Sequence, residues 1–181
     1  MAAELRLEPV TNTDLQLLHR LTADPSATGE FEWYGYVDPN TWRRRWEENG
    51  LLGEDGGTLM VCVGDERVGF VSWRKRPTGR ISFCWNMGIA IAPEARHQGY
   101  GAQSQRLLVR YLFAHTQVNR IEAGTEVGNI AEQRSLEQAG FTREGIMRGT
   151  AFQGGCWHDG VLYSILRSEV DLSDDSNRRD R

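Results

Sequence analysis

Residues 86–102 contain the residue types and spacing in this chain best suited to binding an anion. An apolar stretch leads into a turn with Gly99 and Gly101, and a helical pattern follows. Backbone N–H groups converge at such a turn, and the first helical turn adds unpaired N–H groups with a partial positive charge. Glycine allows close approach of a ligand because it lacks Cβ, and Arg96 can add a full charge. We therefore expect a pyrophosphate site.

The spacing of this turn, from Arg96 to Gly101, is Arg-x-x-Gly-x-Gly. It is neither the Gly-x-x-x-x-Gly-Lys of nucleoside triphosphatases nor the Gly-x-Gly-x-x-Gly of dinucleotide-binding folds. Because a two-glycine turn can also be an ordinary helix start, the motif alone leaves a purely structural role open.

The composition restricts the classes of protein to consider. The chain has 181 residues, with 21 Lys and Arg against 25 Asp and Glu, for a formal net charge of −4. This charge disfavours a general nucleic-acid binder, because no positive field collects phosphates. No apolar run approaches the roughly 20 residues of a membrane-spanning helix, and the first residues lack a signal-peptide pattern. We expect a cytoplasmic protein without a nucleic-acid or membrane partner.

The cysteines indicate neither a disulfide framework nor a metal site. Cys62, Cys84 and Cys156 are odd in number and lack metal-type spacing. Cys62 and Cys84 lie in apolar, strand-like stretches, so we expect them to be packing residues. This usage is typical of a reduced compartment.

Hydrophobic periodicity predicts the elements that position the turn. The expected strands span residues 4–8, 58–63, 67–74, 80–91, 119–125, 143–152 and 157–166, and the expected helices span 15–21, 39–50, 99–115 and 129–139. A capping box from Thr11 to Asp14 opens the first helix, Asp38 and Pro39 open the second, and Gly88 suggests a bulge. Residues 24–36 and 53–57 are expected to be loops. The order predicts one three-layer α/β domain over residues 1–170 with a mixed sheet, and a polar tail over 171–181.

Three segments resemble one known family. Residues 96–101 resemble the acyl-CoA-binding signature of the GNAT N-acetyltransferase superfamily, Gln/Arg-x-x-Gly-x-Gly/Ala. Residues 129–141 resemble its Asn…Glu-Lys-x-Gly-Phe helix, and residues 144–164 resemble the ending of the branch that acetylates ribosomal protein N-termini, the RimJ/RimL type. The resemblance covers residues 5–169. It implies a three-layer α/β/α fold with a mostly antiparallel sheet of about seven strands, splayed in the middle.

The resemblance also implies where acetyl-CoA binds. The strand ending at Ile89–Ile91 would splay from its neighbour near residues 125–127, and its free backbone would pair with pantetheine. The N–H of Ile89 would polarise the acetyl carbonyl. The residues expected to bind this co-substrate are Ile89, Ala90, Ile91, Arg96, His97, Gln98, Gly99, Tyr100, Gly101, Ala102 and Asn129.

The groups expected to carry protons depart from the family's pattern. In many members of the family a tyrosine donates a proton to the thiolate of CoA as it leaves. Leu136 stands at that position here, and Glu132 stands where other members have a serine. On a helix, Asn129, Glu132 and Leu136 lie on roughly one face. Glu132 is therefore a candidate catalytic acid for the thiolate, or else a solvated helix residue. Asn129 is both a candidate N-cap and a candidate contact of the co-substrate or a catalytic water. Ser135, on another face, is expected to be structural.

Residues 30–36 would cover the acceptor side of the cleft. They combine two carboxylates with four aromatic rings, and both kinds of group favour a cationic amine. The residues expected to bind substrate are Glu30, Glu32, Trp33, Tyr34 and Trp85, with Glu32 as a candidate base. Two structural alternatives remain: the segment clamps the two N-terminal helices, and Trp85 belongs to the core.

The resemblance implies an N-acetyltransferase that moves the acetyl group of acetyl-CoA to a primary amine, by direct attack of the amine on the thioester. We expect a small-molecule acceptor, no metal, and a monomer or homodimer. A protein N-terminus is the alternative acceptor. A non-catalytic acyl-CoA sensor is the alternative outside enzymes, and a longer acyl donor also remains open.

Overall fold

The computed structural model describes residues 4–173, and a mixed sheet organises them. The strands are β1 Leu5–Pro9, β2 Leu52–Gly53, β3 Gly56–Val63, β4 Glu66–Pro77, β5 Phe83–Ile91, β6 Arg120–Glu126, β7 Thr142–Gln153 and β8 Cys156–Leu166. The helices are α1 Leu15–Ala23, α2 Pro25–Thr28, α3 Thr41–Asn49, α4 Tyr100–His115 and α5 Ile130–Gln138. The strand order is β1-β3-β4-β5-β6-β8-β7, and β2 pairs with β3.

Among the strands of residues 4–173, only β5 and β6 pair in parallel; the other pairs are antiparallel. Helix α4 makes the crossover between these two strands, as a parallel pair requires a long connection. The expected α/β class with a mostly antiparallel sheet is confirmed.

Two apolar clusters lie on opposite faces of the sheet. One unites Val61, Val71 and Ile121 with residues of α4, and the other unites Met60, Cys62 and Phe70 with residues of α1. Alternate residues of β3 enter different clusters because successive strand side chains point to opposite faces. This places helices on both sides of the sheet, in the three layers that were expected. Cys62 and Cys84 are buried, in agreement with the packing role predicted for them.

The capping box before α1 forms as predicted. The backbone N–H of Thr11 donates to Oδ2 of Asp14 at 2.8 Å, and the Thr11 hydroxyl donates to the same oxygen at 2.7 Å. Asp14 is itself buried beneath α1. This local chemistry fixes where the first helix begins.

Other boundaries differ from the expectations. Helix α3 begins at Thr41, because the Asp38 carboxylate accepts the N–H of Asn40 at 2.8 Å and makes a turn ahead of the helix. The segment 24–36 contains α2, and Gly53 pairs with Gly56 in a small hairpin. Strand β5 starts at Phe83, three residues later than expected.

The bulge expected at Gly88 is wrong. The β4–β5 register is continuous through the Ser72–Gly88 pair, and register shifts lie elsewhere, between Val61 and Cys62 of β3 and at two places in β7. Gly88 is therefore an ordinary strand position.

Strands β5 and β6 separate halfway along their length. They pair at Trp85–Ile121, Asn86–Glu122 and Met87–Ala123, and within the described residues they pair no further. Beyond this point β5 continues to Ile91 against β4, and β6 continues to Glu126 against β8. The expected splay is thus present, and it leaves one edge of residues 88–91 without a strand partner.

The described helices include none that is long and apolar enough to cross a membrane. Of the expected tail 171–181, residues 174–181 lie outside the described residues. The division into a domain of residues 1–170 and a tail remains a prediction.

Candidate active site

The splayed strands open onto a cleft of about 1030 Å³. Its walls come from the segment 27–32, from β5, from the turn before α4, and from the facing sides of α4 and α5. Of the residues expected in the site, these line the cleft: Glu30, Glu32, Ile89, Ala90, Ile91, Arg96, His97, Gly99, Tyr100, Gly101, Ala102, Asn129 and Glu132. Gln98, Trp33, Tyr34 and Trp85 are not among the lining residues.

The turn before α4 has the backbone form that an anion site needs. His97 and Gly99 both have positive φ, at 62° and 78°. The first hydrogen bond of α4 runs from the N–H of Gln103 to the carbonyl of Gly99 at 3.3 Å, so the N–H groups before it have no partner within the helix. This geometry, at one end of the cleft, fits a pyrophosphate.

Arg96 holds this turn in place through the main chain. Its Nε donates to the carbonyl of Ile91 at 3.0 Å, and its Nη2 donates to the carbonyl of Ala27 at 2.6 Å. The guanidinium therefore joins the end of β5 to α2. Its positive charge lies beside the turn, while two of its donors serve the fold.

Gly101 is needed for the packing of two helices. A Cβ at this position would lie 2.9 Å from Oγ of Ser135 on α5. Real Cβ atoms do not come this close to another heavy atom. The sequence interpretation explained this glycine by approach of the ligand. The structure adds the close contact between α4 and α5, so a bulky residue at 101 would also displace the Ser135 side chain.

A buried amide connects α4 to α5 at the wall of the cleft. Gln105 is only 1% exposed. Its Nε2 donates to Oε1 of Glu132 at 2.6 Å, and its Oε1 accepts the hydroxyl of Ser135 at 3.0 Å. Gln105 was missed from the sequence, although its place on the apolar face of α4, three residues before Leu108, was an available signal.

Glu132 ionises at an unusually high pH for a carboxyl group. Burial raises its pKa to about 7; the Gln105 N–H opposes this shift, and the negative charge of Glu32 adds to it. Asn129 is the N-cap of α5, because its Oδ1 accepts the Glu132 N–H at 3.2 Å. A carboxyl group with this pKa can donate and accept protons at neutral pH.

Two further acidic residues lie close to each other, and one of them, Glu32, lines the cleft. Burial raises the pKa of Glu32, and the nearby negative charge of Glu126 adds to the shift. Glu126 is 9% exposed and lies 3.3 Å from Nδ1 of His158. Its other oxygen, Oε1, is buried without a hydrogen-bond partner among residues 4–173. No motif in the sequence indicated Glu126 or His158.

The segment that carries Glu30 and Glu32 is held by the β7–β8 hairpin. Nε2 of Gln153 donates to the carbonyls of Glu30 and Trp33, at 2.5 and 2.8 Å. Phe31 packs over Gly128, where a Cβ would lie 3.3 Å from its ring. The segment thus closes the acceptor end of the cleft against β7 and the turn before α5.

The prediction that Trp85 binds substrate is wrong. Its indole is buried in the core on the α4 side, and Nε1 donates to the hydroxyl of Thr116 at 3.0 Å. The physical reason is its position on β5: at Trp85 the strand still pairs with Ile121 of β6, so the sheet is closed there. The core alternative is the one observed. Trp33 contacts Tyr36 edge-on outside the cleft lining.

Comparisons with known proteins agree with this geometry. The family model described as "Acetyltransferase (GNAT) domain" matches residues 4–142. The Bacillus subtilis protein named "Probable N-acetyltransferase YjcK" is 39% identical over 113 residues, which span 61% of this chain and 61% of that relative's length.

Two solved structures share the fold. Spermidine N-acetyltransferase from Vibrio cholerae, in complex with CoA and spermine, superimposes with a TM-score of 0.77 at 21% identity, covering 91% of this chain and 96% of that one. RimL, a ribosomal L7/L12 alpha-N-protein acetyltransferase in complex with CoA, gives a TM-score of 0.75 at 20% identity, covering 90% and 93%.

Proposed function

The chain belongs to the GNAT acetyltransferase family, and we propose that it transfers the acetyl group of acetyl-CoA to a primary amine of a small cationic molecule. The observation that carries this proposal is the lining of one cleft, which combines the glycine turn before α4, suited to a pyrophosphate, with the carboxylate-bearing segment 30–32.

The donor would occupy the splay and the turn. N–H groups of residues 97–102 would bind its pyrophosphate, and the free edge of residues 88–91 would pair with the amide groups of its pantetheine arm. The N–H of Ile89 would donate to the acetyl oxygen as that oxygen becomes negative. Holding the thioester against the amine removes much of the entropic cost of the reaction.

The reaction would proceed by direct attack. The neutral amine nitrogen forms a bond to the carbonyl carbon, the C–S bond breaks, and the electron pair leaves on sulfur. An amine with a pKa near 10 is mostly protonated at neutral pH, so it first loses one proton to solvent, and Glu32 accepts the second proton, which the nitrogen loses as the amide forms. Glu132 supplies a proton to the thiolate. Leu136, which stands at the family's tyrosine position, is fully buried and has no proton to give.

The negative charges of Glu32 and Glu126 support a cationic acceptor. Glu32 and Glu126 lie close enough for Glu126 to raise the Glu32 pKa, and the buried Oε1 of Glu126 has no partner among the described residues. An ammonium group near these carboxylates would lower the Glu32 pKa through its positive charge, and it would supply hydrogen-bond donors.

A protein N-terminus is the second candidate acceptor. It is favoured by the ring pair Phe152–Trp157, which is exposed at the tip of the hairpin that holds the acceptor segment, with ring centroids 5.2 Å apart. Such rings can hold the residues that follow a peptide's first amino group.

The test compares acceptors and removes the charges. We expect a small diamine to have a higher kcat/KM than a neutral N-terminal peptide. The double change Glu30→Gln with Glu32→Gln should raise KM for the diamine and leave the affinity for acetyl-CoA unchanged. The effect should shrink in salt, because screening acts over about 10 Å at 0.1 M.

The matched control is Glu47→Gln with Glu48→Gln, two exposed carboxylates on α3 that lie outside the cleft lining. It should leave both constants unchanged. An unchanged KM for the diamine at low salt in the Glu30 and Glu32 double variant would remove the substrate argument and leave the family assignment intact.

A further inference from the structure

We propose that Gln105 is a positioning residue for acetyl transfer. Gln105 orients the Glu132 carboxyl so that its proton lies on Oε2 and can pass to the departing thiolate. Ser135 holds Gln105 in turn. This inference rests on the proposed function, and it assigns a role to a buried side chain that lies behind the reacting groups.

The hydrogen-bond directions along this chain of side chains are fixed by chemistry. An ionised carboxylate can only accept, so the amide must turn its Nε2–H toward Oε1 of Glu132. The amide oxygen then faces Ser135, whose hydroxyl donates to it at 3.0 Å. The contact from Nε2 of Gln105 to Oε1 of Glu132, at 2.6 Å, has the short length of a charge-assisted bond.

The same arrangement places the proton when Glu132 is neutral. While the Ser135 hydroxyl donates to Oε1 of Gln105, Nε2 faces Glu132 and donates to its Oε1, so the acid hydrogen belongs on Oε2. A carboxyl group without this partner could carry its proton on either oxygen. Gln105 therefore selects the oxygen that donates.

Burial makes this arrangement stable. Gln105 is only 1% exposed, and an amide buried without partners is costly. Both of its polar atoms have partners on α5. Gly101, one turn earlier on α4, gives Ser135 the room to approach, since a Cβ there would lie 2.9 Å from its Oγ.

The groups around Glu132 come from three elements. Gln105 is its partner from α4 and is uncharged, Glu32 on the acceptor segment acts as a negative charge, and burial is the largest influence on its pKa. On α5 itself, Asn129 accepts the Glu132 N–H and Arg134 lines the same cleft. The Gln105 N–H stabilises the ionised form, so it holds the pKa near 7 against burial.

The step balances as follows. The neutral amine nitrogen bonds to the acetyl carbon and loses one proton to the Glu32 carboxylate, the C–S bond breaks with its electron pair on sulfur, and the hydrogen on Oε2 of Glu132 moves to that sulfur. Glu132 is left as a carboxylate that the Gln105 N–H already contacts, and water returns the proton between turnovers.

The decisive variant is Gln105→Met, which keeps the volume and removes the donor. Loss of a hydrogen bond to a charged group should raise the Glu132 pKa and move the alkaline limb of the kcat profile upward by about one pH unit. We expect kcat to fall on the order of tenfold or more as the carboxyl loses its orientation, with unchanged affinity for acetyl-CoA. Ser135→Ala should move the limb in the same direction by less. Gln117→Met, an exposed glutamine beyond the end of α4, is the matched control and should behave as wild type.

The outcomes separate this inference from the proposed function. If Gln105→Met lowers kcat but leaves the alkaline limb of the kcat profile where it is in wild type, Gln105 only fills space. If Glu132→Gln also keeps the wild-type alkaline limb, Glu132 takes no part in the mechanism. Either result leaves acetyl transfer standing. If no amine is acetylated, the proposed function fails. A ¹³C NMR titration of the Glu132 carboxyl still tests whether Gln105 acts on Glu132, because an equal Glu132 pKa in wild type and Gln105→Met would overturn that effect. If Gln105→Met does not fold, Ser135→Ala carries the same comparison.

Discussion

Glu132 illustrates at the scale of one residue how a functional group can oppose the stability of the fold. Its pKa is about 7 in the folded chain, against an ordinary value of 4.5. Between these two values the unfolded chain has lost the proton and the folded chain keeps it. The folded state therefore binds more protons than the unfolded state, and stability falls as pH rises through this window.

Replacing this residue should stabilise the protein while lowering its activity. We expect Glu132→Gln, measured without acetyl-CoA, to raise the free energy of unfolding at pH 8 by about 1–3 kcal/mol. The gain should decline toward zero as pH falls to the unfolded value. Urea unfolding at several pH values measures it, with Glu47→Gln on the exposed face of α3 as control. A gain that does not vary with pH would contradict the raised pKa.

The sequence was least informative about polar residues whose partners are far along the chain. Gln105 has the pattern of an ordinary helix residue, and only its contact with α5 reveals its role. Glu126 follows a strand without any motif, and its meeting with His158 depends on β8. Trp85 was uncertain for a related reason, because the face of β5 that it occupies is set by where β6 stops pairing.

At the scale of elements, one side chain couples two distant parts of the chain. Gln153, at the end of β7, donates from a single nitrogen to the carbonyls of Glu30 and Trp33. The acceptor segment has no strand pairing of its own at these positions. Its position therefore depends on this anchor and on the contact of Phe31 with Gly128.

Removal of the anchor should affect the acceptor more than the donor. Gln153→Ala should raise KM for the amine several-fold, because the segment must then be ordered when the amine binds. Fixing the backbone of one residue costs about 1–2 kcal/mol of conformational entropy. The affinity for acetyl-CoA should not change, since its proposed site is at the glycine turn before α4 and along β5. Steady-state kinetics with each substrate varied measures both, with Gln117→Ala as control. Equal losses for donor and amine would show that the hairpin supports the whole cleft instead.

The elements themselves were largely predictable because their signals are local. The capping box at Thr11 and the continuous apolar run of β3 each depend on neighbours in sequence. The start of α3 was misplaced because Asp38 caps a turn before the helix and not the helix itself. The residues of the turn before α4 were found through a motif, and that motif is local too.

At the scale of the whole molecule, negative charge is concentrated where the amine would enter. The net charge of −4 is small, yet the charge of Glu126 acts on Glu32, and the charge of Glu32 acts on Glu132, with Glu32 and Glu132 both lining the cleft. Such clustering attracts cations and is sensitive to salt. This concentration could not be predicted from the sequence, because the three residues belong to a loop, a strand and a helix.

The measurement that tests the central claim most directly is amine-dependent release of thiol from acetyl-CoA by the unmodified protein, with mass spectrometry of the amine product. We predict saturable thiol release with a small cationic diamine, matched one to one by acetylated amine, and little release when the amine is omitted. Binding of acetyl-CoA without amine-dependent release, across diamines, aminoglycosides and N-terminal peptides, would contradict the account and indicate a protein that senses acyl-CoA.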